Sequence, residues 1–574
     1  MNVEFSWSSR QFLVQRVGTL SRCRFQAVLT ISCLILMLMT PLAHAAEVED
    51  FIPKESILYV KLQDIDEVYG EIEISENWEK VLSLLPNVSD WQEMQQGLAM
   101  LQGMLGTNLQ GIIETVGYRT ALAVWLEEAN DGQIGVVIHS GGNLDKLQQL
   151  TKIVEGLLGM DTANTLHLDA GIYQRVRYNA LERHNAIVKY GFVDDFLVIG
   201  VGDESFEKLM DTYRTDMPSL QQNPKFDAAL EKIGSGEVIV FANVPPILPM
   251  LGLADWERKN LATFQSVFGR LNLLETGPFL QVTTQFTPNP PENEIGLFLK
   301  EGQELETLNA VSGEEDLFVA IAPQVVEGVW ELVLTLIAEE SEADIDAGIA
   351  FVEGLLNLDL EEDIVTGLTG ELALSVSDLT RFDPEAVSGI QVEVDGAFAL
   401  DASDVETNGG IIFRPSNRMK WNQVGNSLSN LQSASVSQTD YKGVTVSGFA
   451  SNIHYSDIDG LFLLGFAEDQ VYALIDEIKQ KKKPAYLKRL PKTPTAFAQL
   501  NLARTLEREK GSPPADKRLV DAKEIPLLLA WLSVEDDTAL LEVTLSEKES
   551  PVEMLAKLVP FLLWNMEVQW ESSE

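Results

Sequence analysis

One short stretch of the chain contains two patterns whose residue types and spacing could do chemistry. Ser205 and Lys208 have the Ser-x-x-Lys spacing, which brings a hydroxyl nucleophile and an amine base together over one helical turn. No Ser-Asp-Asn or Lys-Thr-Gly companion accompanies them, and a second, similar stretch has Gln470 and Ala473 at these positions. We therefore predict an exposed serine in the first turn of a helix and no catalytic nucleophile.

The same stretch superficially resembles a nucleotide-binding turn, because Gly200 and Gly202 lie between an apolar strand and a helix. Ser205 occupies the position of the third glycine. Asp203 and Glu204 place negative charge at the helix N-terminus, where a phosphate would bind. The sequence predicts an acidic helix cap at this point, not a nucleotide site.

Histidine and cysteine spacing argues against the common metal and nucleophile sites. The histidines after residue 45 are His139, His167, His184 and His454. None is within ligand spacing of another, so a zinc site is not expected. Both cysteines lie in the first 45 residues. A Ser-His-Asp triad stays open, although no Gly-x-Ser-x-Gly pattern supports it.

Acidic clusters are the remaining candidates for metal ligands. They occur at residues 339–346, at Asp457 and Asp459, and at residues 401–406. None matches the twelve-residue calcium loop. Solvated acidic faces are the favoured interpretation, and a calcium-stabilised module is an alternative. We predict no other cofactor.

One basic segment stands out in an acidic chain. Its seven cations are Lys479, Lys481, Lys482, Lys483, Lys488, Arg489 and Lys492. The segment begins where a predicted helix ends, a position that favours cations. It either docks on acidic surface of the same chain or of a twin subunit, or it binds an anionic partner such as a lipid headgroup or polysaccharide. We favour the structural interpretation.

The first 45 residues are typical of a cleaved export signal. Four arginines precede the apolar run Ala27–Met39, and Ala43-His44-Ala45 forms a small-x-small cleavage site. The apolar run is shorter than the ~20 residues of a membrane-spanning helix. We predict cleavage after Ala45 and a periplasmic or secreted protein without a transmembrane segment. A retained membrane anchor is the alternative.

The net charge narrows the range of partners. The chain has 42 basic and 87 acidic residues, a net charge of −45. Loss of the first 45 residues, with four arginines and one glutamate, would change it to −48. Such a charge repels nucleic acid and anionic membrane surfaces, so a nucleic-acid partner is not expected.

The order of elements repeats along the chain, which at 574 residues is too long for one ordinary domain. Residues 194–211 match 459–476, and residues 120–124 match 372–376. Hairpins mixed with helices indicate an α+β fold of two tandem homologous repeats, each an antiparallel sheet with helices on one face. The predicted parts are a signal (1–45), a first repeat (46–300), a linker (301–315) and a second repeat (316–574).

Several of these features together resemble a known family. They are Pro53 with the strand Ile57–Val60, the strand Phe196–Gly200, Ser219-Leu220, and Asn223-Pro224-Lys225-Phe226. This pattern resembles exported bacterial proteins grouped as domain of unknown function 3352. The resemblance implies export and fold and supplies no active site. The second half lacks the Asn-Pro-x-Phe element.

The sequence therefore predicts an exported envelope or periplasmic protein, which we expect to be a non-catalytic binding or structural module. It could hold a polypeptide or an apolar ligand against its sheets. The alternatives are a hydrolase with an unrecognised site and a calcium-stabilised adhesion-type module. A protein or another envelope component is the expected class of partner.

Overall fold

A computed structural model gives the fold of most of the chain after residue 45. It describes residues 46–84, 99, 102–103, 106–127, 132–160, 165–183, 186–215, 217–288, 296, 299–326, 353, 371–381, 391–394, 398–401, 409–414, 437–449, 453–465, 467–480, 483–511, 513 and 519–571. The predicted signal peptide and its cleavage site lie outside these residues.

Strands make up much of the described chain. They are β1 (Leu58–Gln63), β2 (Arg119–Leu126), β3 (Gly132–His139), β4 (Thr165–Tyr173), β5 (Val176–Arg183), β6 (Ala186–Val193), β7 (Phe196–Val201), β8 (Val238–Asn243), β9 (Phe264–Leu271), β10 (Pro278–Phe286), β11 (Leu317–Ile321), β12 (Leu372–Val376), β13 (Gln391–Val394), β14 (Phe398–Asp401), β15 (Gly409–Phe413), β16 (Ser437–Tyr441), β17 (Val444–Phe449), β18 (Ile453–Ile458), β19 (Leu461–Gly465), β20 (Ala496–Leu500), β21 (Leu528–Glu535) and β22 (Thr538–Leu545).

The described α-helices are interspersed among these strands. They are α1 (Ile65–Ile74), α2 (Glu76–Leu84), α3 (Leu109–Val116), α4 (Leu144–Met160), α5 (Ser205–Arg214), α6 (Pro224–Ile233), α7 (Val244–Ile247), α8 (Asp255–Leu261), α9 (Glu468–Gln480), α10 (Leu502–Lys510) and α11 (Pro551–Glu571). Among the described residues, none of these helices combines the length and apolarity needed to cross a bilayer.

The chain folds into two compact units. The first contains the chain up to Leu251 and Ser266–Glu275, and the second contains Gly252–Gln265 and the chain from Thr276 onward. The α+β class is confirmed, with antiparallel strand pairing in both units. The predicted boundaries at residues 300, 301–315 and 316 stay a prediction.

Each unit has its own order of hydrogen-bonded strands. In the first unit the order is β4-β5-β6-β7-β3-β2-β1-β8-β9. In the second unit it is β16-β17-β18-β19-β15-β12-β11-β20-β21-β22-β10. The first nine positions of the two orders correspond one to one. The strands β13 and β14 pair only with each other among the described residues.

Both units also turn the chain in the same way before the strand that leads into a helix. The two-residue turn between β6 and β7 has Asp194 at φ 49°, and the turn between β18 and β19 has Asp459 at φ 52°. Aspartate tolerates this left-handed conformation because its short side chain can bond locally. A two-residue connection with such backbone angles matches the twist of antiparallel strands.

Helices pack on both faces of the first unit's sheet, so the prediction of helices on one face is wrong there. Ile112 of α3 and Leu147 of α4 share a buried cluster with Val136 of β3. The neighbouring position Gly135 points to the opposite face, where an added Cβ would lie 2.8 Å from Leu209 of α5. Because strand residues alternate between faces, α5 covers the side opposite α3 and α4. The β3 residues from Val136 to His139 are all buried, as expected for a strand covered on both faces.

Residues 301–315 pack into the second unit. They include the 3-10 helix Glu306–Ala310, and Leu305, Ala310 and Val311 are buried in the unit's main apolar cluster. Glu315 is also buried, and its carboxylate accepts backbone hydrogen bonds from Ser312 and Gly313 at 2.8 Å. The stretch was predicted to be a linker because it is acidic and lacks periodicity. Its apolar side chains nevertheless contribute to a core.

The final elements of the second unit are a strand pair and a helix. The strand β10 pairs antiparallel with β22. The C-terminal helix α11 packs against α10, because Met554, Leu558 and Phe561 share a buried cluster with Ala503.

Candidate functional site

The basic segment after α9 divides into anchored and exposed cations. The described members of the predicted patch are Lys479, Lys483, Lys488, Arg489 and Lys492, while Lys481 and Lys482 lie outside the described residues. Arg489 donates to the backbone carbonyl oxygens of Leu545 at 2.8 Å and Ser546 at 2.6 Å. Lys479 donates to the carbonyl oxygen of Lys442. These two cations therefore tie the segment to its own unit through backbone carbonyl oxygens.

The other three lysines of the patch have a different environment. Lys483, Lys488 and Lys492 are exposed. Within the described residues, none of them forms an ion pair or a hydrogen bond with its side chain. The patch therefore combines intramolecular anchors with available positive charge, and its role in binding stays a prediction.

The backbone that presents these lysines is held by apolar side chains. The 3-10 helix Ala485–Arg489 lies between Pro484 and Pro491. Its Tyr486 is buried in the apolar cluster of the second unit, and Leu487 and Leu490 pack against that cluster. The lysines therefore extend from a fixed loop.

A buried polar network lies beneath this loop. The Tyr486 hydroxyl donates to the Gln499 side-chain oxygen, and the Gln499 amide donates to Glu315 at 3.1 Å. Burial, and then the negative charges of Glu315 and Asp476, raise the pKa of Glu477 to about 8. The Glu477 Oε2 atom is buried and has no hydrogen-bond partner among the described residues. Glu477 is therefore a proton-binding group at neutral pH, and its sequence neighbours gave no signal of this.

A second buried charge site lies in the first unit and was also missed. Glu49 accepts hydrogen bonds of 2.8 Å from the Lys61 ammonium and from the Tyr59 hydroxyl. Burial acts to raise the pKa of Glu49, but the charge and hydrogen bonds of Lys61 and Tyr59 together hold it below its ordinary value. Lys61 and Tyr59 alternate with partly buried apolar residues along β1. The signal that could have revealed the pair is a lysine on the core side of a strand, which requires a buried partner.

The Ser-x-x-Lys pattern does not form a nucleophile and base. The Ser205 side chain is fully buried, and its hydroxyl bonds to the Gln133 side-chain oxygen and to the Val201 carbonyl at 2.8 Å. Lys208 forms an ion pair of 2.7 Å with Glu55. The prediction of an exposed serine is wrong, because the serine side chain joins the helix start to the sheet. Ser205 and Lys208 thus bond to other groups and not to each other.

The two glycines of the same stretch serve helix packing. A Cβ at Gly200 would lie 2.2 Å from the Phe206 backbone nitrogen, so only glycine lets α5 approach β7 this closely. Gly202 has a φ of +120°, a backbone conformation in which a residue with a side chain would be strained. The predicted acidic cap is wrong in its detail, since Glu204 at the N-cap position makes no side-chain cap hydrogen bond.

The Asn-Pro-x-Phe element has a clear structural role. The Asn223 side-chain oxygen accepts hydrogen bonds from the backbone of Lys225 and Phe226, which caps α6 with Pro224 in its first turn. The Asn223 amide donates to the Lys54 carbonyl at 2.9 Å. Ser219 pairs with Pro53 in an isolated bridge. The separate parts of the sequence pattern therefore meet in space and stabilise one region.

The histidines do not assemble a catalytic or zinc site in the described residues. His139 is buried, its Nδ1 accepts from the Gly141 backbone at 2.9 Å, and burial lowers its pKa. His184 and the side chain of His167 lie outside the described part of the structure. His454 lies on β18.

Metal ligands are equally sparse in the part of the chain that the structure describes. No group of three or more His, Cys, Asp or Glu side chains there could hold an ion. Residues 339–346 and 402–406 fall outside that part, so the calcium hypothesis stays untested.

The first unit also has a polar cleft of about 400 Å³. Its lining residues are Asp50, Thr212, Tyr213, Thr215, Met217, Ser219 and Gln222. The Tyr213 ring stacks on Phe51 with centroids 3.9 Å apart, and its hydroxyl donates to Asp194 at 2.9 Å. Burial raises the pKa of Asp50. These contacts fix the cleft walls but bring together no nucleophile and base.

A continuous apolar row crosses nine strands of the second unit. In order of strand pairing it consists of Tyr455, Leu464, Ile411, Leu374, Val319, Ala498, Ala530, Val543 and Leu280. All nine side chains are partly exposed. The next row includes Leu532, Val282 and Leu541, and Leu541 is 37% exposed. The opposite face holds the buried Phe318, Phe497 and Trp531. Both faces of this sheet are therefore apolar.

The comparisons with known proteins agree with the resemblance found in the sequence. The family model described as "Protein of unknown function (DUF3352)" matches residues 167–414, which confirms that resemblance. The matched stretch is less than half of the 574 residues. No curated protein and no solved structure matches the chain significantly.

Proposed function

We propose that the protein is an exported, non-catalytic binding protein that holds an apolar ligand against the sheet of its second unit. The observation that supports this is the apolar row of nine strands with its partly exposed side chains. The partial exposure of these apolar side chains favours binding, because an antiparallel sheet ordinarily presents polar residues where it faces water. Burial of a large apolar side chain contributes roughly 1.5–3 kcal/mol, so an apolar ligand gains affinity on this surface.

The fatty-acid chain is the simplest ligand of this class, because it can lie along a row of aliphatic side chains. A fluorescent fatty acid added to the purified protein should bind and become brighter. Leu541→Gln places a polar group in the next row on the same face and should weaken binding several-fold. Leu562→Gln on α11 is the matched control, because Leu562 is also 37% exposed.

This test has outcomes that would end the proposal. Absence of fatty-acid binding, together with no co-purifying lipid in mass spectrometry of the native protein, would contradict it. Equal weakening by Leu541→Gln and Leu562→Gln would assign the binding to another surface.

Export is the second part of the proposal, and it rests on the sequence of residues 1–45. The arginines, the apolar run and Ala43-His44-Ala45 support cleavage after Ala45 and a periplasmic or secreted location. Mass spectrometry of the protein from its native host should give a chain that begins at Ala46. A chain that retains residues 27–39 in the membrane fraction would favour an uncleaved anchor.

Tandem duplication is the third part. It is supported by the corresponding strand orders of the two units and by their matching aspartate turns. Duplication of one ancestral sheet unit would give both units the same strand order, whereas two unrelated units would have to reach that order by chance. A homologue in which one unit occurs alone as a folded protein would be expected under this proposal.

A further inference from the structure

The exposed lysines of the basic segment occupy an unusual stretch of this chain. No acidic residue occurs between Glu477 and Glu507, although the chain has 87 Asp and Glu residues. Lys483, Lys488 and Lys492 lie within that stretch, and we call these three residues the lysine surface. They are exposed, and their side chains have no ion-pair partner in the described part of the chain. Their charge is therefore available to an external anion.

The backbone under the lysine surface is already ordered. Tyr486 is buried, Leu487 and Leu490 pack on the core, and Arg489 bonds to two carbonyl oxygens of residues 545 and 546. A partner that binds the lysine surface pays little for ordering this loop. Apolar side chains and one guanidinium thus hold the segment, and three ammonium groups are left for the solvent.

We propose that the lysine surface docks on anionic lipid headgroups at a membrane surface. Lysine ammonium groups are compact, hydrated charges on flexible side chains. Such groups can follow the mobile phosphates of a lipid surface more easily than they can hold one carboxylate in a fixed geometry. Each lysine near an anionic bilayer contributes about 1 kcal/mol of attraction. Carboxylates farther away than the Debye length of about 8 Å at physiological salt are largely screened.

The test is co-sedimentation with lipid vesicles. The protein, purified from its native host, is mixed with vesicles of equal parts phosphatidylglycerol and phosphatidylcholine, and with vesicles of pure phosphatidylcholine. Binding is expected only to the anionic vesicles and should decline as sodium chloride is raised. The variant Lys483→Gln, Lys488→Gln, Lys492→Gln should bind on the order of a hundredfold more weakly.

A charge-matched control separates this surface from general electrostatics. Lys152→Gln, Lys232→Gln, Lys259→Gln removes three exposed lysines elsewhere and should leave vesicle binding unchanged. Equal loss in both triple variants would overturn the proposal, as would binding to neutral vesicles with the same affinity. Circular dichroism of each variant checks that it is folded, and the salt dependence of the unmodified protein tests the proposal without any substitution.

The alternative partner of the lysine surface is the acidic surface of a second copy of the chain. Mass photometry of the unmodified protein and of the lysine-surface variant distinguishes the two partners, because it measures whether dimers form. Salt-sensitive dimers that the triple substitution dissociates, together with no vesicle binding, would replace the lipid proposal by self-association. The apolar-ligand proposal is independent, because Leu541→Gln should leave vesicle binding unchanged.

Discussion

The Tyr173 hydroxyl donates a hydrogen bond to Asp211, whose two carboxylate oxygens lie 2.8 Å and 2.9 Å from it. Tyr441 stands in the same relation to Asp476, at 3.1 Å. Each tyrosine ends the outermost described strand of its unit, β4 or β16, and each aspartate lies on the helix that follows β7 or β19. In both units the residue after the tyrosine, Gln174 or Lys442, also donates to that aspartate. Both units thus fasten this strand to this helix with the same contact.

The first prediction follows from this contact. Tyr173→Phe and Tyr441→Phe should each lower the free energy of unfolding by about 1–2 kcal/mol, because a hydrogen bond to a charged group is lost. Urea denaturation of the purified protein measures this. Tyr455→Phe is the control, since its hydroxyl has no hydrogen bond among the described residues. An effect of Tyr173→Phe without any effect of Tyr441→Phe would contradict the equivalence of the two contacts.

The second prediction concerns Glu477, whose pKa is about 8 in the folded protein. An unfolded glutamate titrates near 4.3, so the folded state binds one more proton between these values. The contribution of this group to stability is therefore complete at low pH and is lost as pH rises from about 4.3 to about 8, with an upper limit of about 5 kcal/mol.

Glu477→Gln should remove that part of the pH dependence and make the protein more stable than the unmodified chain at pH values near 9. Thermal unfolding across this pH range measures the effect, with the exposed Glu524→Gln as control. Identical pH profiles for Glu477→Gln and the unmodified protein would refute the assignment of the proton to Glu477.

Local patterns predicted the elements of the fold well. The strands around Ile57–Val60 and Phe196–Gly200 and the helix after Gly200 are present, because apolar alternation and turn residues are local signals. The family resemblance was predicted from the same residues and is confirmed. The role of Asn223 as a cap also follows from sequence alone.

Contacts between distant residues could not be predicted in the same way. Helices on both faces of the first sheet depend on which turns bring α3 and α4 back over β3, and no spacing rule gives this. Ser205 was expected at the surface because an N-terminal helix serine usually is, but its hydroxyl bonds to Gln133 on β3. The elevated pKa of Glu477 depends first on burial and then on Glu315, which the fold brings near from a remote part of the chain.

The third prediction concerns the buried ion pair of Glu49 and Lys61. Lys61→Met leaves the Glu49 carboxylate buried with only the Tyr59 hydrogen bond and should destabilise the first unit by about 3–5 kcal/mol. Glu49→Gln with Lys61→Met should cost less, because no unpaired charge remains. Denaturant unfolding of the two variants tests this order, and a double variant less stable than Lys61→Met would contradict it.

The same pair gives a pH dependence of opposite sign to that of Glu477. The pKa of Glu49 lies below its unfolded value, so its contribution is complete above the unfolded pKa near 4.3 and is lost as pH falls through the folded pKa. Acid unfolding of the unmodified protein should therefore be steeper than that of the double variant. Superimposable acid transitions would show that Glu49 gives no such contribution.

The last prediction tests the close approach of α5 to β7. Gly200→Ala places a Cβ 2.2 Å from the Phe206 backbone nitrogen. Because backbone atoms must move, the free energy of unfolding of the first unit should fall by about 3 kcal/mol, the upper end of the usual cost of overpacking. Gly70→Ala is the matched control: Gly70 lies in α1 with nothing within 4 Å of an added Cβ, so stability should rise by up to about 1 kcal/mol. Thermal unfolding measures both. A Gly200→Ala protein as stable as the unmodified chain would mean that the helix can shift away from the strand, and the glycine would then have a different reason to be there.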